Sequence, residues 1–141
     1  MKKYLLMLMS LVLCVCCFAS CASLLRPMHK SSAASDLDKL QAELEEQEYG
    51  VLRADEAEIA AWAESFASDY DLILEGELAG VLEYSGIDPD TGKMVLGIVF
   101  AVTDKADAKE IAKVYREQAD DAQGVSVDVT VKGRMVTVVY S

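Results

Sequence analysis

After position 21 this chain has no cysteine, and its only histidine, His29, lies a few residues beyond that point. The rest of the sequence therefore offers no thiol nucleophile, no imidazole acid–base pair and no His/Cys zinc site. No disulfide can brace it either, so it must hold itself by its core. Basic side chains are also scarce: 13 against 24 acidic ones, a net charge of −11. Such a body repels phosphate backbones, which excludes nucleic acid as a partner. Glycines that could cradle a phosphate are missing too. Gly76 and Gly80 are too sparse, no Lys-Ser/Thr follows them, and they suit a bend or bulge at the start of a strand.

The N-terminus has what the body lacks. Lys2 and Lys3 precede an apolar run from Tyr4 to Phe18, followed by Phe18-Ala19-Ser20-Cys21. A positive start, an apolar stretch and small residues at a cut form the anatomy of a secretory signal. With cysteine directly after the small pair, the segment resembles the lipobox of bacterial lipoproteins, with Phe18 where an aliphatic residue is usual. Cys14, Cys16 and Cys17 follow Leu, Val and Cys and lack the small neighbours. The resemblance implies cleavage before Cys21, diacylation of its thiol, and a chain held outside the cytoplasm on a membrane. The expected division is a signal peptide over 1–20, a lipidated cysteine and tether over 21–34, and one domain over 35–141. An uncleaved anchor is the alternative, since the 22 residues from Tyr4 to Leu25 are mostly apolar and about 20 suffice to span a bilayer. Both readings place the body outside the cytoplasm at the cell membrane or envelope.

Removing Lys2 and Lys3 with the signal leaves 11 basic against 24 acidic side chains, net −13 over 121 residues. Arg26, His29 and Lys30, close to Cys21, suit acidic headgroups. The acidic body beyond them is held off such a surface, and its charge serves solubility first.

Beyond the tether, Ser35 with Asp38 reads as a helix cap, and Asp36–Glu48 as a helix with Leu37, Leu40 and Leu44 on one face. Tyr49–Ala54 reads as a strand. Asp55 with Glu58 caps a second helix to about Ser68, whose Ile59, Trp62, Ala63, Phe66 and Tyr70 form one buried stripe. At that spacing Trp62 is a core residue. Glu77–Ser85 alternates Leu78, Leu82 and Tyr84 against Glu77 and Glu83, with the acids outward. Lys93–Thr103 is apolar on both faces, which makes it a central strand or one whose second face is covered. Asp104 and Asp107 open a third helix to about Asp121, with Ala108, Ile111, Ala112, Tyr115 and Ala119 inward. Val125–Val131 and Met135–Tyr140 then close a hairpin whose turn is Lys132-Gly133.

The order α-β-α-β-β-α-β-β predicts the α+β class, with an antiparallel sheet and helices packed on one face. It contains βαββαβ, the ferredoxin-like (split βαβ) order, plus an N-terminal helix and a C-terminal strand. Asp88, Asp90 and Gly92 start like a calcium loop, but the twelfth position is Val99 and the glycine comes one residue early. With Pro89 they read as a turn. No catalytic residue, cofactor or metal ligand stands out, and no carboxylate pair is marked for glycoside chemistry. The functional expectation is a non-catalytic binding or interaction module displayed on a membrane through lipid on Cys21. Its partner would be a protein, or a second copy through the sheet. A small-ligand or cation carrier and a carboxylate-only hydrolase are the alternatives.

Overall fold

The computed structural model describes residues 32–141. The signal segment, Cys21 and the tether as far as residue 31 lie outside the described residues. The elements in chain order are α1 (Ser32–Glu46), β1 (Gly50–Arg53), α2 (Glu56–Tyr70), β2 (Leu78–Ile87), β3 (Met94–Val102), α3 (Lys105–Asp121), β4 (Val127–Lys132) and β5 (Met135–Tyr140). The class is α+β: one antiparallel sheet in the order β1-β2-β3-β5-β4, with helices packed on it.

Local chemistry accounts for the element boundaries. Asp55 and Glu58 form the expected reciprocal cap, each carboxylate accepting the other's backbone N–H at 2.8 Å. This satisfies two of the donors left open at a helix start. Asp104 caps α3 by accepting from the Ala106 N–H at 2.8 Å. The β4–β5 turn is Gly133-Arg134, one residue later than expected, because Lys132 pairs with Met135. Gly133 takes φ 62°, the positive angle that the first loop position of a II′ hairpin needs.

α1 begins earlier than predicted. Ser35 is exposed within the helix instead of capping it, because Ala33 lies four residues before Leu37 on the same face and is buried with it. That contact extends the helix by a turn.

The strand β3 is central, and both its faces are buried. Ile98, Phe100 and Val102 join Trp62 and Phe66 of α2, Ile111 and Tyr115 of α3, and Val136 and Val138 of β5 in the larger core. Phe100 lies at the centre of an aromatic group, 5.2 Å from Trp62, 5.3 Å from Phe66 and 5.6 Å from Tyr115 between ring centroids. Trp62 is a core residue, as its spacing indicated. On the other face Val99, Ala101 and Leu82 meet Ala33, Leu37 and Leu44 of α1. α2 and α3 thus share one face as expected, while α1 covers the opposite one. The cause is the apolar second face of β3, which needs its own cover. Arg53 Nη1 also pairs with Asp38 Oδ1 at 2.9 Å and ties β1 to this helix.

Half of the sheet follows the split βαβ order. β3 and β4 both run antiparallel to β5, which lies between them, and α3 joins them. The other half departs from the ferredoxin-like arrangement: β1 and β2, joined by α2, are direct antiparallel neighbours. The connection 71–77 explains this. Glu75 and Gly76 N–H groups each donate to the Asp107 carboxylate at 2.8 Å, and Glu77 N–H donates to Thr103 Oγ1 at 2.8 Å. The chain is thereby delivered to the end of β3, β2 pairs with β3 at once, and β1 takes the remaining edge of β2.

Leu37 is fully buried in the second core. Replacing it with alanine should cost about 2–5 kcal/mol of unfolding free energy in a denaturant titration. A loss near zero would mean that α1 does not seal this face.

Candidate functional site

Four separate parts of the chain converge at one end of the α1 face. Leu44 and Gln47 come from the end of α1, and Asp88, Thr91 and Lys93 from the β2–β3 turn. Ser126, Val127 and Asp128 come from the start of β4, and Val139 and Ser141 from the end of β5. Between them lies an open groove of about 620 Å³, with Tyr49, Tyr84 and Val95 also lining it.

Two tyrosines shape this groove. Tyr84 on β2 pairs with Gly97 on β3, and its ring lies so close over that residue that a methyl group on Gly97 would collide with it. Tyr49 meets Tyr84 edge-on, with centroids 5.4 Å apart. Burial, followed by the neighbouring Tyr49, raises the Tyr84 phenol above its usual range. It therefore keeps its proton at neutral pH and can donate a hydrogen bond. Isolated glycine in an apolar strand signals close approach by another group, so Gly97 was the clue in the sequence to this feature.

The rim is polar. The Asp88 carboxylate accepts from Asp90 N–H at 2.8 Å and from Thr91 N–H at 3.4 Å, and Gly92 N–H donates to its carbonyl at 2.8 Å. These bonds make the Asp88–Gly92 segment the turn that was expected. Lys93 is the one basic side chain in the lining. Among the described residues, no group of three or more His, Cys, Asp or Glu side chains is placed to hold a metal ion.

A different acid is the anomaly. Glu83 was expected to point outward, yet it is only 8% exposed. It lies on the α2–α3 face between Leu52 of β1 and Ile98 of β3. The alternation holds from Leu82 to Tyr84, but a register shift at Leu78–Gly80 puts Leu78 on the Glu83 face, and helices cover both faces of the strand around Glu83. Among the described residues its Oε2 has no hydrogen-bond partner. Burial, and then the charge of Glu58, raises its pKa above the ordinary carboxylate value of 4.5. The same layer holds two tyrosines whose phenols are raised mainly by burial. Tyr115 goes well above 10.0, and Tyr140 is pushed up to about 12. Glu83 does not line the groove, so it is a buried acid without access to a ligand there.

Asp107, expected only to help open α3, is the other buried acid, at 2% exposure. Its two bonds to the 71–77 connection satisfy it. Comparison with protein-family models, curated proteins and solved structures finds no match to this chain.

Glu83 has a testable consequence for pH dependence. In the unfolded chain it ionises near 4.5, whereas in the folded one it holds its proton to higher pH. Below 4.5 both states are protonated, and the advantage of the neutral form is fully present. As pH rises from 4.5 through the raised folded pKa, that contribution to stability is lost. Glu83→Gln cannot ionise, so its stability should gain on the native chain as pH increases through this window. Parallel denaturant titrations at successive pH values measure it, and identical slopes would contradict a buried, raised carboxyl.

Proposed function

We propose that this chain is a non-catalytic binding module, displayed outside the cytoplasm on a membrane by lipid on Cys21, and that the groove beside Tyr84 is its contact surface. The observation that carries the reading is the groove's composition. Six aromatic or aliphatic residues lie there among seven polar ones, a mixture that suits the polar, solvent-accessible kind of recognition surface. Two of the groove's acid–base groups argue against chemistry there. Asp88 is occupied by backbone amides, and the raised phenol of Tyr84 stays neutral. Neither is prepared as a nucleophile or a general base.

The acidic body fits this role. With a net charge of −11 on the whole chain, it is repelled by anionic headgroups, while the basic residues Arg26 and Lys30 sit beside the lipid site. A domain held clear of the surface keeps its groove open to a partner in the surrounding space.

Two experiments test the two halves of the reading. In the first, Cys21→Ala should abolish fatty-acid labelling and leave the precursor uncut. Unchanged processing removes the lipid anchor from the proposal. In the second, a photo-cross-linking residue is placed in the full chain in its native membrane, either at Thr91 on the groove rim or at Glu64 on exposed α2. Capture of a discrete partner from Thr91, lost when Lys93 is changed to Glu and absent from Glu64, is the expected pattern. Equal capture from both positions, or none from Thr91, rejects the groove.

A further inference from the structure

The strand β4 forms one edge of the sheet, and among the described residues its outward backbone pairs with no other strand. Ser126 and Ser141 exchange both backbone hydrogen bonds at 3.0 Å. In an antiparallel ladder such pairs alternate, so Ser126, Asp128, Thr130 and Lys132 bond to β5. The N–H and C=O groups of Val127, Val129 and Val131 then point away from the sheet. Arg116 Nη2 marks that direction by donating to the Val129 carbonyl at 3.4 Å. This long bond uses one lone pair of an oxygen that has two.

Edge strands are normally protected by proline, a bulge or shortness. The β4 strand has six residues, none of them proline, and an unbroken register with β5. The opposite edge, β1, has four residues and is tied to α1 through Arg53. Besides the reach of Arg116 from α3, charge is the remaining protection, and on β4 it has an unusual arrangement. Asp128, Thr130 and Lys132 are exposed on the sheet face away from α2 and α3, beyond the strands on which α1 chiefly packs. Two charges of one sign would repel a second copy. Here the signs are opposite and placed symmetrically about Thr130.

That symmetry selects one register. For β4 to pair with itself, the outward-bonding valines must face each other, which permits only alternate alignments. Centring the pair on Asp128 sets like charges opposite, and centring it on Val129 puts each charge opposite a neutral residue. Centring it on Val131 shortens the overlap and sets Asp128 against Arg134, which lies in the turn beyond the paired strand and not on it. Centring on Thr130 places Asp128 opposite Lys132 of the second copy twice, with the two threonines facing between them. Directly opposed residues of opposite charge stabilise a strand pair.

We propose that β4 pairs antiparallel with β4 of a second copy about Thr130, joining two five-stranded sheets into one continuous sheet. The pairing uses Asp128, which also lines the groove, and Lys132, which does not. It is tested on the purified full chain in detergent, by light scattering after size exclusion in the micromolar range. The native chain should be a dimer. Asp128→Lys and Lys132→Asp should each weaken it at least about tenfold, because each converts two attractive pairs into repulsive ones. The double variant D128K/K132D restores opposite charges and should recover the dimer, which also shows that the substitutions leave the fold intact. A monomeric native chain, a dimer indifferent to single reversals, or a double variant no better than the singles would each overturn the proposal.

Discussion

The rest of the structure depends on one constraint: β3 carries apolar side chains on both faces and must be removed from water on both. A strand of this kind cannot lie at an edge or under a single layer of helices. Its position in the middle of five strands follows, and so does the division of the helices. α2 and α3 seal the Phe100 side, while α1 seals the Val99 side. The two cores are unequal because the aromatic residues of α2 and α3 are gathered on one side, whereas α1 brings mainly leucine and alanine to the other.

Covering both faces also creates the polar oddities of the domain. β2 lies beside β3 and shares its two covers, so an acid that would face solvent in an ordinary two-layer fold is trapped at Glu83. Asp107, equally hidden, is stable there because two backbone amides reach its oxygens. The contrast is one of hydrogen bonding and not of burial. The Asp107 carboxylate, supplied with donors, holds the 71–77 connection in place, whereas burial raises the pKa of Glu83, whose Oε2 meets no donor among the described residues.

Much of the fold was legible in the residues because the relevant signals are local. The stripe Ile59-Trp62-Phe66-Tyr70, the reciprocal Asp55–Glu58 cap and the double apolarity of β3 each need only a few neighbouring positions to interpret. What could not be read depends on distant contacts. The side of the sheet chosen by α1 is set by packing against Leu82 and Val99. The direct pairing of β1 with β2 is set by amides of 75–77 meeting Asp107 and Thr103. The groove was hidden for the same reason, since its lining comes from four separate stretches of chain. Only Gly97, isolated in an apolar strand, hinted at the ring of Tyr84 above it.

The placement of α1 also has a consequence for the order in which the molecule assembles. Synthesis proceeds from the N-terminus, so α1 is made before any part of its seat exists. Leu82 is produced 45 residues after Leu37, and Val99 a further 17 later. Until the β2–β3 hairpin has formed, Leu37 and Leu44 have no surface on which to rest. In the larger core Trp62 and Phe66 of α2 also precede Phe100, whereas α3 follows β3 directly and can dock as it emerges. α1 thus waits for its partner strands, and its leucine face stays uncovered by them throughout that interval.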